Sequence, residues 1–231
     1  MTDHAPVLKP LSFSDAMVLG FMGGRKTQTR RLLGLDDMPV LGPQWDKALV
    51  QVRGDLGPRL RVPCLTDCAG TSNHTAQHLY PRWTAGDRFY VREALERYTD
   101  DGVAYRADGE LVLEDGEGPC FETWRWKRDV LPAMFMPRKL ARAFGEIVYV
   151  RIERLQDINV GDCWAEGCPY HLRQRPEEHV WFELLWDTLH TKAGTRWADD
   201  PWVEALTLKR ISREEAYSCP DSTPGPRAAT V

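Results

Sequence analysis

Periodicity constrains what this chain can fold into most strongly, because it comes in short pieces of both kinds and never as a repeat. The clearest regular segment spans residues 177–190, where Trp181, Leu184, Leu185 and Leu189 recur at helical spacing, flanked by Phe182 and Trp186. A helix packed through Trp181, Leu185 and Leu189 is expected there. Residues 88–93 and 146–154 alternate with period two instead. Phe89, Val91 and Glu93 share one face of the first, and Val148, Val150 and Ile152 share one face of the second. Residues 202–211 read as a final strand.

The remaining elements are shorter. Residues 11–13 make a brief apolar strand, and Ser14 is placed to N-cap a helix over 15–22 with Ala16, Leu19 and Met22 on one stripe. Gly23 and Gly24 stop that helix, and residues 25–32 follow as a polar strand. Ala85-Gly86-Asp87 is a turn, residues 99–120 read as an acidic hairpin plus loop, and 159–167 as a short helix ending at Gly167. There is no Gly-rich phosphate loop and no Ser/His/Asp signature. Short strands and helices in irregular alternation imply an α+β fold, a small barrel with helices packed outside it.

With 231 residues, 42% of them hydrophobic, the chain can bury a substantial core. We expect one domain over residues 9–210, an irregular insertion over 34–85 and a disordered tail over 212–231. The net charge of -4 argues against broad coating of duplex nucleic acid. Arg25, Lys26, Arg30 and Arg31 still form a local basic run, which as a bare pattern is also that of a solvated edge strand. No apolar run approaches the ~20 residues that span a bilayer, and the first residues lack a secretory apolar core. Six irregularly spaced cysteines do not suggest a disulfide framework. These features together lead to the expectation of a cytoplasmic protein with no membrane partner.

The most informative stretch is Gly24-Arg25-Lys26-Thr27-Gln28-Thr29-Arg30-Arg31. It resembles the Gly-x-Lys-x-x-Thr segment of ASCH domains, particularly the larger forms common in bacteriophage genomes. Further matches follow in the same order. They are Ala85-Gly86-Asp87 leading into Val91-Arg92-Glu93, Tyr105-x-Ala107-Asp108-Gly109, Met136-Pro137-Arg138, the run 151–158, Ala165-Glu166-Gly167 and Asp200-Pro201-Trp202-Val203.

The resemblance covers residues 9–210 and implies a PUA-like small β-barrel (ASCH) surrounded by helices, in a superfamily that binds RNA or modified nucleosides. Its small amidohydrolases are thought to remove the acyl group of N4-acetylcytidine. By position, the resemblance implies Lys26 as proton acceptor, Thr29 as nucleophile and Glu166 as proton donor, with no metal required. It places the protein in the cytoplasm, that of the host if the chain is phage-encoded.

The trio is chemically coherent. Amide hydrolysis needs a nucleophile, a base to activate it and an acid for the leaving amine. A Lys serves as base once burial or neighbouring cations such as Arg25 and Arg30 depress its pKa. Trp164 is placed to supply part of an apolar pocket for Glu166. On a regular strand, however, Lys26 and Thr29 point to opposite faces, so they converge only if Lys26 lies on the turn after Gly23-Gly24 or a bulge intervenes. Arg25, Arg30, Glu93 and Arg138 are the expected substrate-binding residues. Glu93 has two readings, at the barrel mouth receiving a base edge or in an ion pair with Arg92 or Arg138. Trp124 and Trp126 are placed either to stack on a base or to fill core.

The insertion contains Cys64-x3-Cys68-x5-His74-x3-His78, two thiols and two imidazoles at short spacing, which is a candidate structural zinc set. The alternative is scattered Cys and His in a loop. Cys163 and Cys168 read as small core residues. The function expected from these residues is an amidohydrolase acting on an acylated nucleobase or nucleoside. A non-catalytic reader of RNA or modified bases in the same cleft is the alternative, and a protein–protein adaptor the third.

Overall fold

The computed structural model describes residues 7–33, 49–53, 57–62, 77–99, 102–112, 126–169 and 177–218. In chain order the elements are β1 (Lys9–Ser12), α1 (Asp15–Met22), β2 (Gln28–Leu32), β3 (Leu49–Arg53), β4 (Gly57–Val62), β5 (Gln77–Leu79), β6 (Arg88–Arg92), β7 (Leu95–Thr99), β8 (Gly102–Tyr105), β9 (Val130–Leu131), β10 (Phe144–Arg154), α2 (Val160–Ala165), α3 (Glu177–Leu189), β11 (Trp202–Ile211) and α4 (Arg213–Tyr217).

The central sheet has the order β1-β6-β10-β11-β2. Only β1 and β6 run parallel; the other neighbours are antiparallel. A closed barrel was expected, and the described sheet is open, because β1 and β2 are its two edges and do not pair. A side chain links these edges instead, with Arg31 on β2 donating to the Ser12 carbonyl on β1 at 2.7 Å. Two smaller sheets, β3-β4-β5 and β8-β7-β9, flank the centre. The first lies within residues 34–85, so that stretch is not irregular throughout.

Packing corrects the expected faces in several places. On α1 the buried residues are Met17, Val18 and Phe21, while Ala16 and Leu19 face outward. Ser14 takes the extended N-cap conformation, yet its hydroxyl makes no capping bond. Phe21 packs against the rings of Phe13 and Phe89, and Trp83 meets Phe89 edge-on. On β10 a register shift between Ile147 and Tyr149 interrupts the alternation. Ile147, Val150 and Ile152 are therefore buried and Val148 is exposed. Gly145 is needed beneath Phe89, because a Cβ there would lie 2.3 Å from that ring.

On α3 the buried apolar side chains are Phe182 and Trp186, with Trp181 and Leu185 partly buried and Leu189 58% exposed; Glu178 is buried as well. Residues 212–218 of the expected disordered tail are ordered. Ser212 and Glu215 form a capping box for α4, whose Ala216 is buried, and residues 219–231 lie outside the described residues. No described helix is long and apolar enough to cross a membrane.

Candidate functional site

The turn between α1 and β2 fixes the first functional side chain. Gly23 ends α1 by donating to the Leu19 carbonyl, and Gly24 reverses the chain at φ 75°. Lys26 N–H then bonds the Gly20 carbonyl at 2.9 Å, and Thr27 N–H bonds the Ala165 carbonyl at 2.8 Å. The strand starts only at Gln28, not at residue 25. Lys26 is therefore free of strand alternation and points to the same cavity as Thr29.

Glu166 arrives from the other side. Asn159 caps α2 by accepting from Asp162 N–H, and Glu166 is the C-cap residue, followed by Gly167 at φ 101°. A Cβ on Gly167 would lie 3.4 Å from Lys26 Cβ, so the two turns approach closely.

Between them sits a buried charge network. Lys26 Nζ donates to Glu166 Oε2 at 2.8 Å and to the Glu166 backbone carbonyl at 2.9 Å. Arg30 donates to Glu166 Oε1 at 3.2 Å, to Gln28 at 3.0 Å, to Glu153 at 2.6 and 2.9 Å and to Asp162 at 2.8 Å. Arg151 also bonds Glu153 and Asp162. Three cations thus face three carboxylates, which lets so many charges leave water together. Burial pulls the Lys26 ammonium below its ordinary range, against the raising effect of Glu166; Arg31 and Arg30 push it lower still. For Asp162 burial acts upward, but Arg30 and Arg151 hold the carboxyl below its usual value.

Lys26, Thr29, Arg30 and Glu166 all line one open cavity of about 440 Å³, counting its mouth. Arg31 lines it too, as do Phe182, Leu185 and Trp186 of α3, and His190 just beyond that helix. The site therefore has a charged floor and an apolar wall. Thr29 is buried, and among the described residues its hydroxyl makes no hydrogen bond to Lys26 or Glu166. Burial also lowers the Arg31 pKa, and its Nε has no hydrogen-bond partner.

The other expected residues lie elsewhere. Arg25 is exposed on the outside of the turn. Glu93 is buried away from the cavity and is held by Arg142 at 2.8 and 2.9 Å, rather than by Arg92 or Arg138. Arg142 also pairs with Asp108 and Glu110 and sits over the Tyr105 ring. Burial there raises the Glu93 carboxyl and takes the Tyr105 phenol up to about 12. Arg138 is exposed and rests over Tyr217. Trp164 is 46% exposed and does not line the cavity. Trp126 packs on Phe135, and Trp124 lies outside the described residues.

Cys163 and Cys168 are buried, the first pushed up to about 12 by burial. Cys64, Cys68 and His74 lie outside the described residues; the His78 backbone pairs with Arg61 between β5 and β4, and its side chain is also outside them. Arg31 was not picked out from sequence as a site residue, although it stands two residues from Thr29 and so shares its strand face. His190 and Trp186 carried no such signal.

Comparison with protein-family models, with curated proteins and with solved structures finds no match for this chain.

Proposed function

We propose that this cavity hydrolyses an acyl-amide on the exocyclic nitrogen of a nucleobase or nucleoside, in a PUA-like (ASCH) domain acting in the cytoplasm. The observation that carries this reading is the convergence of Glu166 with Lys26 and Thr29, which precede it by more than 130 residues, on one cavity with the amine and carboxylate 2.8 Å apart.

A proton passing from Lys26 to Glu166 converts the ion pair into a neutral amine and a neutral acid. Burial, which already lowers the Lys26 pKa, favours the neutral amine once substrate expels water. Lys26 then accepts the Thr29 hydroxyl proton as Oγ1 bonds the acyl carbon. The carbon–nitrogen bond breaks, its electron pair stays on nitrogen, and Glu166 protonates the leaving amine. The pair is now ionic again, and the acyl group is an ester on Thr29. In the second half Glu166 takes a proton from the attacking water and Lys26 returns one to Thr29 Oγ1. The products are the free amine and a carboxylic acid. The Thr29–Lys26 contact that this requires must tighten on substrate binding, as catalytic contacts commonly do. Arg31 faces the cavity as a cation able to stabilise the developing oxyanion.

The test is hydrolysis of N4-acetylcytidine and longer acyl analogues. Thr29→Ala should abolish turnover while substrate still binds, and Thr29→Ser should retain part of it. Lys26→Arg should fail although charge is kept, since a guanidinium does not give up its proton at neutral pH. Losses of about 10²–10⁴-fold are expected for each acid–base partner. Activity surviving both Lys26→Arg and Thr29→Ala refutes the mechanism. Inactivity on every acyl-nucleoside together with tight RNA binding assigns the cavity to a reader instead.

A further inference from the structure

Apart from the hydroxyls of Ser12, Ser14 and Thr29, the polar side chains on the cavity floor are mostly donors. Arg30 and Arg31 can only donate, and so can Lys26 while it is charged. The two Glu166 carboxylate oxygens already accept from Lys26 and Arg30. On the opposite wall, His190 Nδ1 lies 3.1 Å from the Trp186 carbonyl. A carbonyl oxygen only accepts, so this contact is a hydrogen bond in the tautomer with the proton on Nδ1, and in that neutral ring Nε2 holds a lone pair. Nε2 has no partner among the described residues, while the His190 ring lines the cavity.

The ring is also rigidly held. It stacks on the Trp186 indole at 3.9 Å between centroids and 16° between planes. Trp186 is itself buried, and its Nε1–H bonds the Thr195 carbonyl at 2.8 Å. Burial holds the imidazole pKa below its ordinary value against the upward pull of the Trp186 carbonyl; the Arg31 charge adds a lesser downward push and Asp187 a still smaller upward one. The lone pair is thus kept available at neutral pH. A ring fixed on an aromatic platform, lining a cavity whose floor is cationic, is arranged to read a ligand.

We infer that His190 Nε2 is the specificity-determining acceptor of this cavity, taking the N–H of an exocyclic amino or secondary amide group while the cations opposite take the carbonyl oxygens of the same ligand. The ligand class is therefore an aminopyrimidine-like base, not one offering only acceptors on that edge. The inference rests on reading the cavity as a nucleobase site, but it does not need the hydrolytic step.

Two measurements test it on the full chain. In wild-type protein at pH 7.5, ¹⁵N-resolved imidazole spectra should show His190 as the Nδ1–H tautomer. In titrations up to about 10 mM, cytidine should bind more tightly than the otherwise identical pyrimidinone riboside that has hydrogen in place of the 4-amino group. A neutral hydrogen bond contributes about 0.5–1.5 kcal/mol, so a preference of roughly two- to thirteenfold is expected. His190→Phe keeps an aromatic ring on Trp186 but removes the lone pair, and should bind both nucleosides alike.

An Nε2–H tautomer overturns the inference. So does a preference unchanged in His190→Phe, and so does failure of wild type to bind either nucleoside. The tautomer measurement needs no variant, so a poorly folded His190→Phe does not rescue the idea. Selective cytidine binding through His190 without turnover of any acyl-nucleoside would sink the amidohydrolase reading alone. Turnover with a preference indifferent to His190→Phe would sink this inference alone.

Discussion

Replacing Glu166 by Gln removes one charge from the buried network and keeps the shape, so its cost can be bounded from the structure. Arg30 retains Glu153 and Asp162 and loses little. Lys26 retains the Glu166 backbone carbonyl at 2.9 Å but loses its carboxylate partner in an almost fully buried site. Removing one partner of such a pair typically costs about 3–5 kcal/mol. The ceiling comes from deprotonation. Holding a Lys of ordinary pKa 10.5 neutral at pH 7 costs about 5 kcal/mol, and at pH 9.5 only about 1.4 kcal/mol. A depressed Lys pKa means that the unfolded chain binds the extra proton, so stability rises with pH through the window between the folded pKa and 10.5. That rise should be steeper in Glu166→Gln than in wild type. The assay is urea unfolding at pH 7.0 and 9.5, followed by tryptophan fluorescence. The variant should lose about 3–5 kcal/mol at the lower pH and recover most of it at the higher. Adding Lys26→Met to Glu166→Gln should restore much of the loss at pH 7, because no unpaired charge remains. A deficit below about 1 kcal/mol at pH 7, or one equally large at both pH values, would refute the buried pair as the source.

Burial raises the Glu204 carboxyl from 4.5 to about 7, although it accepts from the Arg82 backbone N–H at 2.9 Å. The folded state then binds more protons than the unfolded one between those values, so stability falls as pH rises through that window, by about 3 kcal/mol in all. Glu204→Gln should flatten that fall and be the more stable form at pH 8, as read by urea midpoints across pH 4.5–8. Gly145→Ala would put a methyl 2.3 Å from Phe89 and 2.9 Å from the Lys209 carbonyl, and should cost at least about 1–3 kcal/mol in the same unfolding assay. For the Cys64, Cys68, His74 and His78 set, we expect about one zinc per purified chain by metal analysis and a lower melting temperature after chelation. Metal-free protein with an unchanged melting profile removes that set.

The elements were legible in the sequence where two signals agreed, and the faces were misjudged where one signal was saturated. α3 shows this. Its apolar residues, Val180, Trp181, Phe182, Leu184, Leu185, Trp186 and Leu189, surround so much of the helix that periodicity fixes the element but not its phase. The core took Phe182 and Trp186, leaving Leu184 65% exposed. On β10 alternation predicted the strand correctly, but a bulge between Ile147 and Tyr149 moved Val148 to the outside, and no residue type there announces a bulge. The candidate site was legible by the opposite route. Spacing alone set Lys26 and Thr29 on opposite faces; Gly23 and Gly24 supplied the means to escape that rule by delaying the strand to Gln28.

What the sequence could not supply was the partnership of distant charges. Glu153 and Asp162, on β10 and α2, matter because the fold carries Arg30 to them. A basic run that would read as a solvated edge strand is in fact largely inside, because the acids that neutralise it arrive more than 120 residues later. Glu93 is the converse case. Alternation correctly put it inward with Phe89 and Val91, but an inward carboxylate needs a cation, and Arg142 comes from a separate segment. Burial of a charge is thus readable locally, whereas the identity of its counterion is a property of the fold. That is why Lys26, Thr29 and Glu166 could be named from a motif and Arg31 was within reach of strand alternation, while His190, which completes the cavity, became visible only once β2 and the end of α3 were placed on one cavity.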